Sequence, residues 1–310
     1  MIKVVVIGYG LVGKAIVESL RTESYKIFPL NSQTLKSIYS DFGELVRTVN
    51  HIAPDILINT AAFTDTRAAE DHDNQDLLYK LNVELPHVLA SIPQEFKMIH
   101  LSSDYVYGDS DSLLLSESSD LNPINRYGIS KVDGEKKVLK SGRDGLILRM
   151  GGVYQLALKS LIDTAFAKII NTEEQVYLRD DVVFSPTPVR LVQNTIRECV
   201  GYLKDRPVEH KSVLLNFSTF GEVSPFGFVK HAIDYLDANG WKGISDKVGR
   251  RISKVMNAEN DIARPGRAVM CVKQIETLLS IECSAWADAL NKELDEKQHI
   301  MRAIYGSLDK

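Results

Sequence analysis

The chain has 310 residues, 44% of them hydrophobic and 25% charged, with a net charge of −4. This is the composition of a globular protein with room for one large domain or two modest ones, and its scattered basic residues exclude the basic face that nucleic acid demands. Cys199, Cys271 and Cys283 lack metal-ligand spacing and read as thiols in a reducing compartment; no apolar run approaches the roughly 20 residues of a membrane span, and the short N-terminal run is a poor signal peptide, so the expected location is the cytoplasm.

Residues 2–7 are apolar apart from Lys3 and rich in β-branched side chains, as a strand buried on both faces requires. The run Gly8-Tyr9-Gly10-Leu11-Val12-Gly13 follows, and a helix is predicted to about Arg21, with Val12, Ile16 and Leu20 on one face. Further strands are predicted at 25–30, 55–59, 98–102 and 145–149, and helices at 42–50, 76–90 and 125–139. Five strands with helices between them predict an α/β, Rossmann-type doubly wound parallel sheet. After Met150 the rhythm loosens: helices are predicted at 160–170, 190–203, 225–238, 270–280 and 285–304, and short strands at 175–178 and 213–217. The expected organisation is a dinucleotide-binding core over 1–150, joined by parts of 160–205. A smaller, discontinuous C-terminal substrate lobe over 151–310 is assembled from separate segments.

Gly8, Gly10 and Gly13 form G-x-G-x-x-G between the first strand and the first helix. The first glycine permits the tight turn, the second lets backbone approach a pyrophosphate, and the third lets helix pack on strand. The helix N-terminus then offers N–H groups and a positive dipole end to phosphates. Tyr9, Leu11 and Val12 lie within this loop and share the cofactor-binding assignment. At the end of the second strand the chain reads Leu30-Asn31-Ser32-Gln33. An Asp or Glu there would bond the ribose 2′-hydroxyl of NADH and repel a 2′-phosphate. With Asn31 and Ser32 in that place, NADPH is the expected cofactor, with NADH tolerated.

Tyr127 and Lys131 stand four apart, hence on one face of the predicted helix. That helix follows the fourth strand, whose end carries Ser102, Ser103, Asp104 and Tyr105 at the sheet edge where such folds bind ligands. A ketone accepting hydride needs a proton donor, and Tyr127 can serve if its pKa falls from about 10 toward the working pH. The Lys131 ammonium is expected to lower it, and Ser103 to hold the carbonyl oxygen. The catalytic candidates are therefore Ser103, Tyr127 and Lys131, the last two also facing the cofactor. No histidine shows metal-ligand spacing, so no metal site is expected. The apolar positions of 286–304 read as core or as a homodimer surface.

These motifs resemble the extended short-chain dehydrogenase/reductase superfamily, and within it the dTDP-4-dehydrorhamnose reductase branch. The resemblance rests on Asp41-Phe42, residues 54–64, Ser102 to Tyr107, Asn122 to Lys131, Ser185-Pro186-Thr187 and Ala263-Arg264-Pro265. It implies NADPH-dependent reduction of the C4 ketone of a nucleotide-linked deoxysugar by the Ser103, Tyr127 and Lys131 triad. It further implies that Asp41, Phe42, Ala61, Ala62 and Phe63 line the cofactor. Asp104, Tyr105 and Gly152 are implied beside the substrate, and Arg264 at its diphosphate, which suits an arginine fork. Two departures stand out. The glycine loop is one residue shorter than the family's, and Met150-Gly151-Gly152-Val153-Tyr154 stands where the family has Thr-Ser-Trp-Val-Tyr. Loss of an aromatic at Gly152 is expected to leave space and remove a stacking face, so that the sugar accepted is not dehydrorhamnose itself. A sugar-nucleotide epimerase or dehydratase on the same scaffold is the alternative enzyme. The regulatory subunit of methionine adenosyltransferase, which is similar to this branch, provides a non-catalytic NADP-binding alternative.

Overall fold

The computed structural model describes residues 1–30, 42–110, 112–158, 160–172, 174–241, 244–256 and 262–305. Asn31, Ser32 and Asp41 lie outside the described residues.

The first half follows the predicted alternation. β1 (Ile2–Ile7) leads into α1 (Leu11–Ser19), then β2 (Tyr25–Leu30), α2 (Phe42–Ile52) and β3 (Ile56–Asn59). Next come α3 (Gln75–Tyr79), a π-helical turn over Lys80–Glu84, and α4 (Leu85–Ala90). The sequence predicts one unbroken helix over 76–90. Pro86 explains the difference: it has no N–H to offer the carbonyl of Asn82 four residues earlier, and the ladder opens into a wider turn just ahead of it. β4 (Lys97–Ser103), α5 (Arg126–Ser141) and β5 (Gly145–Met150) complete this half. Every residue of β3 and β5 is buried, as parallel strands covered on both faces demand.

The second half is built from shorter pieces. β6 (Val153–Tyr154), α6 (Leu161–Thr172), β7 (Val176–Arg179), β8 (Val183–Phe184) and β9 (Thr187–Pro188) precede the long α7 (Val189–Asp205) and β10 (Ser212–Phe217). α8 (Pro225–Ala238), α9 (Ile244–Lys247), β11 (Ile252–Val255), β12 (Arg267–Ala268), α10 (Lys273–Leu279) and α11 (Trp286–Tyr305) follow. β10 is no isolated strand. It pairs in parallel with β5 and makes the main sheet six-stranded, in the order β2-β1-β3-β4-β5-β10. α7 provides the crossover that brings β10 there.

Successive residues of β1 point to opposite faces. Val4 and Val6 pack with Ile16 of α1 and with Val192, Ile196 and Cys199 of α7. Val5 and Ile7 pack with Leu45 of α2 and with Leu85 and Leu89 of α4. A separate core, around Phe166, Phe228, Trp241 and Leu290, joins α6, α8 and α11. The short parallel pairs β7–β11, β8–β12 and β6–β9 border it. In the main sheet the strand order reverses between β1 and β3, and in open parallel sheets ligands bind at such a switch point, beyond the carboxyl ends of the strands. Ile7 lies opposite Asn59, and Ser103 opposite Met150, so the chain leaves β1, β3, β4 and β5 along one common edge.

Candidate active site

At that edge the glycine loop is shaped by its own backbone. Gly8 has φ +94°, and a Cβ there would lie 2.7 Å from the Ala61 nitrogen. A Cβ on Gly13 would lie 2.1 Å from the Gly8 carbonyl oxygen. The Thr60 hydroxyl secures the turn by donating to the carbonyls of Ile7 and Gly8 at 3.0 and 3.1 Å. Gly10 differs: a Cβ on it meets nothing within 4 Å. It opens α1, whose first turn holds no acidic side chain and whose cap makes no side-chain hydrogen bond. The first N–H groups of a helix have no partner within it, and here Leu11, Val12 and Gly13 line a cleft of about 660 Å³. An anionic group on this cradle would meet an open dipole end.

The same cleft is lined by Ser103, Asp104, Tyr105, Tyr127 and Lys131. α5 brings the last two there. Asn125 caps the helix, its Oδ1 accepting from the Gly128 N–H at 2.7 Å, and its amide donates to the Ala263 carbonyl at 2.8 Å. Gly128 lets α5 approach closely, since a Cβ there would sit 2.5 Å from the Tyr105 carbonyl oxygen. The Tyr127 phenol is buried and pairs with the Ser103 hydroxyl. Lys131 is buried as well, its Nζ donating to the Leu101 carbonyl at 2.7 Å.

The electrostatics differ from the sequence expectation. Burial raises the Tyr127 phenol well above its ordinary value, and the bond to Ser103 offsets only part of this, with Asp104 pushing upward too. Lys131 does not lower it as expected. Burial instead brings the Lys131 ammonium down to about 8, against the pull of Glu135 one turn along the helix. Spacing can place two groups on one face, but it carries no desolvation, and desolvation is the larger effect for both.

Asp104 is 4% exposed, and burial pushes its carboxyl up to about 7 despite the hydrogen bond it accepts from Ser103 at 3.0 Å. The two glycines after β5 lie against this wall. A Cβ on Gly151 would come within 2.3 Å of the Asp104 Oδ2. Gly152 has φ +56°, and a Cβ on it would lie 2.6 Å from the Phe184 ring. The space expected from a missing aromatic at 152 is therefore taken, and an aromatic ring is present after all, supplied by β8. Beyond Gly152 opens a second cavity of about 400 Å³, lined among others by Phe184, Arg179, Tyr177 and Arg264. Arg264 donates to the Tyr105 hydroxyl at 3.4 Å, and the Tyr105 and Tyr127 rings meet edge to face at 5.5 Å.

The fold thus brings Gly8 to Gly13, Ala61, Ala62, Ser103, Asp104, Tyr105, Tyr127, Lys131 and Gly152 to one cleft, with Arg264 in the adjoining cavity. Phe42 and Phe63 do not line either. Phe42 opens α2 with the Lys80 ammonium 5.5 Å from its ring centre, and Phe63 packs behind Tyr127 with Leu78 and Ala69. Sequence reasoning missed Asn82, whose side chain bonds both backbone groups of Phe63 and the Ser130 hydroxyl beside Tyr127. Its signal was Pro86, which marks where the helix opens. It also missed Thr60 and Phe184. Among the described residues no cluster of His, Cys, Asp or Glu is arranged to hold a metal, and no helix is long and apolar enough to cross a membrane.

An open parallel sheet with a glycine loop at its switch point and a Ser, Tyr and Lys set beside it defines a Rossmann-type protein of the extended short-chain dehydrogenase/reductase kind. The chain belongs to the family of the RmlD substrate binding domain, whose model matches residues 2–299. A dTDP-4-dehydrorhamnose reductase of Burkholderia thailandensis is 25% identical over 255 residues, covering 79% of this chain and 83% of that protein. The spore coat polysaccharide biosynthesis protein SpsK of Bacillus subtilis is 24% identical over 300 residues, 96% of this chain and 98% of that protein. The crystal structure of the dTDP-4-dehydrorhamnose reductase of Bacillus anthracis, in complex with NADP, superposes with a TM-score of 0.81 at 24% identity, covering 95% of this chain and 99% of that one.

Proposed function

We propose that this chain is an oxidoreductase that reduces a 4-keto group on a nucleotide-linked deoxysugar, with NADPH as the preferred cofactor and NADH as a tolerated one. The observation that carries the proposal is the convergence of Ser103, Tyr127 and Lys131 on the cleft that the glycine loop also lines. Gly10 and the first turn of α1 fit a pyrophosphate, and the Lys131 ammonium fits a cofactor ribose. Bound NADPH supplies the hydride. The chain's own part is proton delivery and orientation. Ser103 holds the carbonyl oxygen, and Tyr127 gives it a proton as negative charge develops there. The phenol is protonated in the resting protein, the state from which it donates, although burial makes it a weaker acid than a free phenol. Lys131, one turn along the same helix, keeps the role of holding the cofactor ribose, since burial and not its charge sets the Tyr127 phenol. Arg264 is placed to meet the diphosphate of the substrate, with Asp104 and Tyr105 beside its sugar.

Replacing Tyr127 by Phe tests the reading. Turnover of a nucleotide 4-ketosugar should fall by about 10²- to 10⁴-fold, while NADPH binding, followed by fluorescence titration, stays within a factor of a few. A variant as active as the parent refutes the proton-donor role, and a parent inactive on every nucleotide ketosugar favours the non-catalytic NADP-binding alternative. The buried acid Asp104 beside Ser103 supports a second reading, an epimerase or dehydratase that regenerates its own NAD. Stoichiometric cofactor in the purified protein would favour it.

We assign the main sheet with α1 to α5, α7 and β10 to a cofactor lobe, and α6, α8, α11 and the short strand pairs to a substrate lobe. Cytoplasmic residence belongs to the same reading and agrees with three free thiols. For a homodimer we propose the exposed Ile300 and Ile304 of α11 as the contact, Leu290 and Leu294 being core. A monomeric mass by light scattering excludes it.

A further inference from the structure

The two cavities at the sheet edge meet at Asp104, Tyr105 and Gly152. Resting on the function proposed above, the substrate has two fixed points. Its carbonyl sits at Ser103 and Tyr127 in the first cavity, and its diphosphate reaches Arg264 in the second. The sugar ring between them must cross Gly152. What it meets there is set by one side chain, because the Phe184 ring lies directly on Gly152, where a Cβ would be 2.6 Å from its Cδ2.

Phe184 is held firmly from three sides. Its backbone exchanges hydrogen bonds with Val223 at 3.1 and 3.0 Å. β8 pairs with β12 at Ala268. The ring meets Phe228 edge to face with centres 6.0 Å apart. A ring already fixed loses little side-chain freedom when a ligand docks on it. A six-membered sugar presents an apolar C–H face, and an aromatic ring offers a complementary negative face to those C–H bonds.

We propose that Phe184 is a specificity-determining residue of this site. It forms the wall on which the sugar ring of the nucleotide-linked substrate stacks, and it limits how much bulk that ring carries on the face turned toward Gly152. The aromatic platform of the substrate site comes from β8 and not from the loop after β5.

The test uses Phe184→Leu and Phe184→Ala in the full chain, assayed beside the parent on a panel of dTDP- and UDP-linked 4-ketosugars, with and without a methyl branch on the ring. Phe184→Leu keeps apolar bulk and removes the aromatic face, so it remains informative even where Phe184→Ala does not fold. The KM for the parent's best sugar should rise about tenfold in Phe184→Leu, with kcat within a factor of about three and the NADPH Kd unchanged. Phe184→Ala should shift kcat/KM toward the branched sugars. A KM within twofold of the parent in a folded Phe184→Leu overturns the role of Phe184 while leaving the function reading intact. A parent that binds NADPH but turns over no member of the panel overturns both together.

Discussion

Two sets of glycines lie at the sheet edge beside the cleft, and they are glycines for different reasons. In the loop after β1, Gly13 yields to main chain, the Gly8 carbonyl oxygen, and Gly8 yields equally to the Ala61 nitrogen and to the Thr60 hydroxyl that ties the turn. In the loop after β5, Gly151 and Gly152 yield chiefly to side chains, the Asp104 carboxyl and the Phe184 ring. Main chain is common to every sequence that adopts the fold, so the first set forms a motif. A side chain can be exchanged for another, so the second set records a local accommodation between particular residues. The glycine-loop side of the cleft is thereby fixed, and the side beside β5 is open to change.

The largest effect expected from this contrast concerns Asp104. Its carboxyl rises from 3.8 to about 7 on burial, which corresponds to roughly 4 kcal/mol between its two protonation states. A carboxyl whose folded pKa exceeds its unfolded one holds a proton more tightly in the folded protein. Its stabilising contribution is then full below about pH 4 and is lost as pH rises through about 7. Asp104→Asn carries no charge at either end. At pH 8 it should be more stable than the parent by up to the same roughly 4 kcal/mol, and near pH 4 the difference should vanish. Urea midpoints at the two pH values give the answer, and a difference independent of pH would mean that Asp104 is not held in this environment.

Next in size is the comparison of Gly13→Ala with Gly152→Ala. Each should cost about 1–3 kcal/mol through overpacking, read from thermal or urea unfolding. The loss in Gly152→Ala should be partly recovered by Phe184→Ala, with a coupling of about 0.5–3 kcal/mol; the positive φ of Gly152 leaves a remainder. Gly13→Ala has no such suppressor, because the atom it strikes first is the Gly8 carbonyl oxygen. Additive costs for Gly152→Ala and Phe184→Ala would erase the distinction between the two glycine sets.

The same distinction explains what could be read from the amino acids alone. β1, β3 and β5 were legible because strands buried on both faces are largely apolar runs. The glycine loop and the Tyr127 and Lys131 spacing were legible because each is a local pattern at a place the topology makes meaningful. Phe184 was not, since a strand of two residues has no periodicity and the ring's partner, Gly152, is distant in the chain. The sixth strand was visible as a strand but not as a member of the sheet, because α7 and a loop separate it from β5. The expected fall in the Tyr127 pKa failed because burial, the dominant influence, belongs to the folded molecule. The π-helical turn at Asn82 was half legible: Pro86 announces a break but does not say that the freed carbonyl will lie where a Cβ on Gly134 would come within 2.2 Å of it.

The smallest expected effect isolates the one loop glycine that no protein atom compels. Gly10 has φ −78° and ψ −160°, an extended conformation open to any residue, and a Cβ there meets nothing within 4 Å. Gly10→Ala should therefore leave the apoprotein as stable as the parent, or more stable by about 0.4–1 kcal/mol through the lower entropy of its unfolded chain. If the second glycine exists to let a pyrophosphate lie against the backbone, the same methyl group must then weaken NADPH binding, by about tenfold for each 1.4 kcal/mol by which it holds the phosphates off the backbone. The thermal midpoint without cofactor and a fluorescence titration with it separate the two quantities. Unchanged affinity would place the phosphates elsewhere than on the N-terminus of α1. A lowered midpoint without cofactor would mean that Gly10, like its neighbours, serves the main chain after all.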